Sequence, residues 1–167
     1  MSVSFGLKYS KSDNLIDSGV MYPSVEETTA DGYDLQFGVN VLGHFYFTKL
    51  LLPVLLETAK SSPDNKARVV NTSSIGHELL DGIHFDTLLH SPEGQDNEAV
   101  EKARKKLGTS QLYNQSKIGN VIHARELAKR YGDQGLVVTS CNPGNLRTDL
   151  QRNVKGIAKL LLVCVYT

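Results

Sequence analysis

Hydrophobic and polar positions repeat along this chain with two different periods. Apolar residues three and four apart predict a long helix over residues 33–59 and an amphipathic helix that opens at Tyr113 and stops at Gly132. Short apolar runs at residues 68–74 and 136–141 predict buried strands. Because helix and strand alternate, the pattern predicts an α/β fold with a parallel sheet.

The long helix carries several residues that are unusual inside a helix. Pro53 removes one backbone donor and is predicted to kink the helix or to lie near a break. Gly38 and Gly43 each cost about 1 kcal/mol relative to alanine, which indicates close approach of another backbone or a ligand. Between them lies Asn40, for which a packed core asparagine without a function is the simpler interpretation. The candidate N-caps are Thr28, Thr29 and Asp31.

Ser74 is predicted to lie at the carboxyl end of the first strand, where open α/β sheets bind their ligands. Residues 75–110 are predicted to form a long surface excursion with a charged helical piece at residues 98–106. Excursions of this kind often serve as lids or specificity elements. Residues 1–24 show no clear period, and no element is predicted there.

Tyr113 and Lys117 are four residues apart, so a helix places the tyrosine hydroxyl and the lysine ammonium on one face. A free tyrosine has a pKa of about 10 and is a poor acid or base near neutrality. A cation nearby favours the phenolate and lowers that pKa, which makes the phenol a usable proton donor and acceptor. The same spacing also arises by chance, so a pair without a function stays open at this point.

Composition excludes several classes of protein. Eighteen Lys and Arg residues balance eighteen Asp and Glu residues, and no basic stripe indicates a nucleic-acid partner. Cys141 and Cys164 lie in apolar runs without metal-ligand spacing, which indicates core residues in a reduced compartment and no metal. The apolar runs at residues 45–56 and 157–165 are interrupted or too short for a bilayer, so we expect a soluble cytoplasmic protein without a transmembrane segment.

Four separated pieces of the sequence occur in the order used by the short-chain dehydrogenase/reductase family, which the chain resembles over about residues 19–152. The spacing between serine and tyrosine and the Glu-Leu-Ala-Lys-Arg ending of the helix are similar to the retinol dehydrogenase and WW-domain oxidoreductase branch. The four pieces are Asn40 in Gly-Val-Asn-Val-Leu-Gly, Asn-Thr-Ser-Ser ending at Ser74, Tyr113-x-x-x-Lys117 and Asn142-Pro143-Gly144.

The resemblance implies an oxidoreductase that transfers a hydride between NADP or NAD, with NADP slightly favoured, and a small lipophilic carbonyl or alcohol. Tyr113 would exchange the proton with the substrate oxygen, and Ser74 would hydrogen-bond the reacting carbonyl. Lys117 would lower the tyrosine pKa and hold the nicotinamide ribose, and Asn40 would position a water in a proton relay. The cofactor contacts that the resemblance implies are Asn40, Tyr113, Lys117, Pro143, Gly144 and Thr148.

The sequence departs from the family at its start. Family members open with Thr-Gly-x-x-x-Gly-x-Gly, whose backbone donors and helix N-terminus bind the pyrophosphate, and the glycines at 6, 19, 32 and 38 lack that spacing. We therefore expect an incomplete Rossmann-type three-layer αβα fold whose first βαβ cofactor-binding half is missing. Residues 1–18 stay unassigned, residues 19–167 form a partial domain, and the family's last strand is expected to be missing as well.

Two functions follow as alternatives. Either the sequence belongs to a dehydrogenase whose 167-residue chain binds the dinucleotide weakly and is inactive alone, or it is a non-catalytic fragment or interaction protein. In the second case the long helix and the Tyr113 helix would keep the family's association surface, which a homodimer could use.

Overall fold

The computed structural model describes residues 14–17, 19–89 and 97–144, and of residues 14–17 the backbone alone. Its sheet has three parallel strands in the order β1-β2-β3. They are β1 (Asn14–Asp17), β2 (Ala67–Thr72) and β3 (Leu136–Cys141). The predicted α/β class with a parallel sheet is confirmed, and the ends of the three strands define one carboxyl edge.

Four helices are present in the described part of the chain. They are α1 (Leu35–Phe37), α2 (His44–Ser61), α3 (Asn97–Leu107) and α4 (Thr109–Tyr131), with a π-helical segment at Gly38–Gly43 and 3₁₀ turns at Ile75–Glu78, Phe85–Thr87 and Gly132–Gln134. From α1 to α2 the chain forms the long helical stretch that the sequence predicts. α2 continues through Pro53, and the departure from α geometry lies earlier, in the π-helical segment.

Asp34, rather than Thr28, Thr29 or Asp31, caps this helical stretch. Its carboxylate accepts a hydrogen bond from the Phe37 backbone N–H at 2.8 Å. Burial raises the pKa of Asp34, although the Phe37 N–H bond and the charge of Arg104 act against that shift. Thr29 instead holds the preceding turn, where its hydroxyl accepts from the Tyr33 N–H.

α2 and α4 cover the same face of the sheet. On the sheet side, Ala67, Val69 and Asn71 alternate with half-buried neighbours along β2. The apolar core of this face consists of Leu55, Ala59, Ala67, Val69 and Leu136. On the opposite face Val137, Thr139 and Cys141 of β3 are exposed, so the expectation that Cys141 is a core residue is wrong for the residues described. The described residues thus form two of the three layers expected, the sheet and one helix layer.

β1 lies inside the segment that the sequence leaves unassigned. It pairs with β2 from Asn14 opposite Arg68 to Asp17 opposite Asn71. Its residues, Asn-Leu-Ile-Asp, do not alternate between polar and apolar, so the pattern by which a half-buried strand is found in a sequence is missing. The sheet therefore extends into residues 1–18, while the proposed domain limits stay a prediction. Thr148 and Cys164 lie outside the described residues.

α4 begins at Thr109, four residues before the position that the sequence predicts. Gly108, with φ of +81°, makes the sharp turn that precedes it, and Gly132 follows its end as predicted. Its buried face is mainly polar and includes Ser116 and Asn120, whereas Ile122 from the predicted apolar stripe is 45 % exposed. Of the apolar stripe predicted at Ile118, Val121, Ile122, Leu127 and Ala128, Leu127 is buried and Ile122 is exposed, so the apolar periodicity identifies the buried face only in part.

The helical stretch Leu35–Ser61 is long and apolar enough to cross a bilayer, and it alone is so among the residues described. Core helices of globular proteins pass the same test. Leu55 and Ala59 of this stretch pack against Val69 of the sheet. A membrane span is accordingly not established by the helix.

Candidate active site

Tyr113 and Lys117 meet at the carboxyl edge of the sheet. Both side chains are buried, and the Lys117 Nζ lies 5.3 Å from the centre of the Tyr113 ring. The ammonium donates a hydrogen bond to the Thr72 carbonyl, at the end of β2, over 2.9 Å. The helix thus brings both side chains into one site, as their spacing predicts, and their catalytic roles stay predictions.

The pKa of Tyr113 is raised, whereas the sequence predicts that Lys117 lowers it. Burial raises it above the ordinary value, a hydrogen bond with the Ser74 hydroxyl acts against the rise, and the charge of Tyr22 adds to it. Burial also lowers the pKa of Lys117, to about 8. Desolvation disfavours the charged form of both groups, and in this site it outweighs the expected effect of the lysine on the phenol.

Ser74 follows β2 directly and lies next to the phenol. Its backbone is extended, its hydroxyl accepts from the Gly76 N–H at 3.3 Å, and the same hydroxyl acts against the rise of the Tyr113 pKa. A Cβ at Gly76 would lie 2.2 Å from the Asn114 Oδ1. Glycine therefore allows this turn to approach α4 closely enough for Ser74 to reach Tyr113.

Asn40 connects the segment after β1 to α4. Its Oδ1 accepts from the Val20 N–H at 2.7 Å, and its Nδ2 donates to the Val20 carbonyl and to the Ser116 hydroxyl, both at 2.9 Å. The Ser116 hydroxyl in turn donates to the Tyr113 carbonyl. Both hydrogens of the Asn40 side-chain amide are thus donated to protein groups, and the role of Asn40 in positioning a water stays a prediction.

Asn142, Pro143 and Gly144 follow β3 at the same carboxyl edge. All three are exposed, and the Gly144 N–H donates to the Asn142 Oδ1 at 3.1 Å, with φ of +74° at Gly144. The Ser73 N–H donates to the Cys141 carbonyl, which ties this end of β3 to the end of β2. Pro143 and Gly144 therefore border the site, but no contact here tests them as cofactor ligands.

Three side chains of the site were not found from the sequence. Asn120 donates to the same Thr72 carbonyl as Lys117, at 2.8 Å, and Ser116 links Tyr113 to Asn40. Both are on the Tyr113 face of α4, so helical spacing could have identified them. Tyr22 packs its ring against the Tyr113 ring, with 5.3 Å between the centres. Its loop carries no periodic signal.

A separate groove of about 560 Å³ lies between α2 and α4. Phe45, Ile122 and His123 line it, and none of Ser74, Tyr113 and Lys117 does. Burial lowers the pKa of His123, and the neighbouring His44 adds to that shift. Phe45 is 49 % exposed beside the buried histidine. This groove is therefore an apolar surface distinct from the Tyr113 site.

Comparison with known sequences gives consistent results. The chain is 46% identical over 142 residues to a short-chain dehydrogenase/reductase of Armillaria gallica, covering 85% of this chain and 42% of that protein. It is 38% identical over 136 residues to retinol dehydrogenase 11 of Mus musculus, covering 81% of this chain and 36% of that protein. The chain therefore spans about two fifths of the length of these relatives. No protein-family model matches it.

Solved structures show the same fold. The Pseudomonas aeruginosa RhlG/NADP active-site complex is similar with a TM-score of 0.55 and 23% identity, over 85% of this chain and 46% of that one. The carbonyl reductase Sniffer of D. melanogaster gives a TM-score of 0.54 and 20% identity, over 83% of this chain and 50% of that one. At these identities the likeness concerns the fold alone.

Proposed function

Because the chain belongs to the short-chain dehydrogenase/reductase family over the residues that align with its relatives, we propose that it carries the proton-transfer half of a site for NAD(P)-dependent oxidoreduction. The substrate in this proposal is a small lipophilic carbonyl or alcohol. The observation that supports it is the juxtaposition of three groups: the Tyr113 phenol, the Ser74 hydroxyl that acts on its pKa, and the Lys117 ammonium 5.3 Å from the centre of the Tyr113 ring.

The chain's own residues would handle the substrate oxygen and its proton. The Ser74 hydroxyl is close enough to the Tyr113 phenol to act on its pKa, so both hydroxyls can reach one substrate oxygen. Ser74 would orient that oxygen, and Tyr113 would give it a proton when a carbonyl is reduced and take one back when an alcohol is oxidised. The bound dinucleotide would supply or accept the hydride. Burial keeps the phenol protonated, which suits the reducing direction.

The residues fit one end of a dinucleotide. Lys117 uses one of its three ammonium hydrogens on the Thr72 carbonyl, which leaves two donors for ribose hydroxyls. The exposed turn at Pro143 and Gly144 lies at the same edge of the sheet. The described residues contain no glycine-rich turn between a strand and a helix that could hold a pyrophosphate. The fit is thus to the nicotinamide riboside end.

This partial fit leads to an expectation for the 167-residue polypeptide. Calorimetric titration with NADPH and NADH should show weak binding or none, because most affinity for a dinucleotide comes from backbone donors at a helix N-terminus. Saturable binding at micromolar concentration by the monomer would contradict it. The preference for NADP over NAD and a cytoplasmic location stay predictions.

The catalytic proposal is tested on the longest product of the gene that contains these residues. We expect it to consume NADPH or NADH with lipophilic carbonyls, and Tyr113→Phe to reduce turnover by at least about 100-fold while cofactor affinity is kept, since general acid catalysis contributes that much. Tyr46→Phe is the matched control, because Tyr46 is 61 % exposed on α2. Turnover retained by Tyr113→Phe would contradict the role of Tyr113.

A second candidate function is self-association through α2 and α4. It is favoured by the apolar residues exposed beside the groove, which are Phe45, Tyr46, Leu50, Val54 and Ile122. An exposed apolar surface of this kind often marks an interface. Sedimentation at several concentrations should show a dimer that Ile122→Glu weakens and Val137→Glu, on the open face of the sheet, does not. A strictly monomeric chain would contradict it.

A further inference from the structure

Tyr22 has a backbone conformation that tyrosine rarely adopts. Its φ is +56°, in the left-handed region, where the Cβ of an L residue crowds the backbone. Residues held in this way persist only where their surroundings fix them, and they cluster at functional sites. The contacts of Tyr22 and of its loop should therefore show what fixes the residue and what its side chain does.

The loop around Tyr22 is held at three points. The Val20 backbone is bonded through both its N–H and its carbonyl to Asn40. The Tyr22 N–H donates to the Gln36 Oε1 at 3.0 Å, and the Pro23 carbonyl accepts from the Thr109 hydroxyl at 2.8 Å.

Gln36 and Thr109 are also joined to each other. The Gln36 Nε2 donates to the Thr109 carbonyl at 2.9 Å. The Tyr22 loop is accordingly fastened both to α1 and to the first turn of α4, the helix that carries Tyr113. Movement of Tyr22 relative to Tyr113 would break several of these bonds together.

These hydrogen bonds place the Tyr22 ring against the Tyr113 ring. The two rings meet at 79°, with 5.3 Å between their centres, a geometry that aromatic pairs prefer. The Lys117 ammonium lies at the same distance from the Tyr113 ring. Tyr22 and Lys117 thus both contact the Tyr113 ring, and the Ser74 hydroxyl acts on the phenol.

We propose that Tyr22 is a positioning residue for Tyr113: the clamped loop presses its ring against the Tyr113 ring, holds the phenol at Ser74 and shields it from water. A shift of about 1 Å in a reacting group is enough to lower a rate strongly, so a ring contact that fixes the phenol matters for proton transfer. The inference rests on the proposed function for its purpose. Its test reads the phenol itself, so a chain that binds no cofactor still answers it.

The test uses the 167-residue chain labelled with ¹³C at the tyrosine Cζ, with the Tyr113 signal identified by its loss in Tyr113→Phe. In the wild type the pKa of Tyr113 should lie above its ordinary value. Tyr22→Gly, which suits φ of +56°, should move that pKa back toward the ordinary value, because water then reaches the phenol. Tyr22→Phe should keep most of the elevation, because the ring remains.

The matched control is Asn65→Gly, since Asn65 also has a positive φ, of +55°, and lies in the turn before β2, at the end of that strand opposite to the site. It should leave the pKa of Tyr113 unchanged. An unchanged pKa in Tyr22→Gly, or a change in Tyr22→Phe as large as in Tyr22→Gly, would overturn the proposal. If Tyr22→Gly does not fold, a nuclear Overhauser effect between the two rings of the wild type decides, and its absence overturns the proposal.

Discussion

The two ends of the covered sheet face differ in what they bury. At the amino end, Ala67, Val69 and Leu136 pack against the apolar side chains of α2. At the carboxyl end, Asn71 and the Thr72 carbonyl meet polar groups of α4. The same strand thus serves an apolar core at one end and a hydrogen-bonded site at the other.

The two kinds of contact contribute differently to the stability of this domain. Apolar packing stabilises in proportion to the area it removes from water and needs no specific partner. Buried polar groups stabilise only when each finds a partner, and the Asn71 Oδ1 and the His123 Nε2 have none in the described part of the chain. The polar contacts at the carboxyl end therefore contribute less to stability than the apolar packing at the amino end.

The largest effect should come from removing the buried charge of Lys117. Its pKa falls from 10.5 to about 8 on folding, and one pKa unit corresponds to about 1.4 kcal/mol. Below pH 8 the wild type therefore carries a penalty of about 3 kcal/mol, so Lys117→Met should be more stable by about that amount at pH 7. Urea unfolding of both proteins measures the difference.

The stability difference between the wild type and Lys117→Met should shrink as the pH rises. Between pH 8 and 10.5 the unfolded chain binds more protons at this lysine than the folded chain, so the wild type gains stability as the pH rises and the advantage of Lys117→Met disappears. Lys129→Met changes an exposed lysine of the same helix and should show no such trend. An advantage that stays constant to pH 10.5 would show that Lys117 keeps its ordinary pKa.

A smaller effect is expected at the apolar end. Val69 is fully buried, and Val69→Ala removes two methyl groups from the core, which should lower the free energy of unfolding by about 2 kcal/mol. Val70→Ala makes the same change on the half-buried opposite face and should cost less than about 1 kcal/mol. Equal losses would mean that both faces are covered alike.

The smallest effect should come from a single neutral hydrogen-bonding group at the carboxyl end. Ser116→Ala removes the hydroxyl that links Asn40 to the Tyr113 carbonyl, and one such loss costs about 1 kcal/mol. Ser110→Ala, at an exposed position in the first turn of α4, is the control and should be nearly neutral. If thermal unfolding does not separate the two variants, the Asn40–Ser116 link contributes nothing to stability.

The elements that apolar patterns mark best were predicted well. β3 was predicted with its observed limits, β2 and α3 within two residues, and the fold class is confirmed. Ser74 was placed correctly at the carboxyl edge because strands in open sheets end where ligands bind. Tyr113 and Lys117 were placed together by helical spacing alone.

What could not be predicted depends on contacts between distant parts of the chain. α4 buries polar residues such as Ser116 because their partners, among them Asn40, lie far away in sequence. The raised pKa of Tyr113 arises from burial, which no local pattern reports. At Gly38 a neighbour does approach closely, but it is a side chain rather than the backbone or ligand predicted: a Cβ there would lie 2.3 Å from the Thr29 Cγ2. At Gly43 a Cβ would meet only the Gly38 carbonyl of the same helical stretch, at 3.4 Å.

The π-helical segment Gly38–Gly43 sets the phase between two parts of one long helix. A turn closed by i→i+5 bonds holds about one residue more than an α turn, and one residue rotates a helix by about 100°. Deleting the exposed Val39 would remove this extra residue. With Leu55 still facing the sheet, Asn40 would then be rotated away from Val20. The extra residue of this segment is therefore what lets one helical stretch make both contacts, with Val20 and with the sheet.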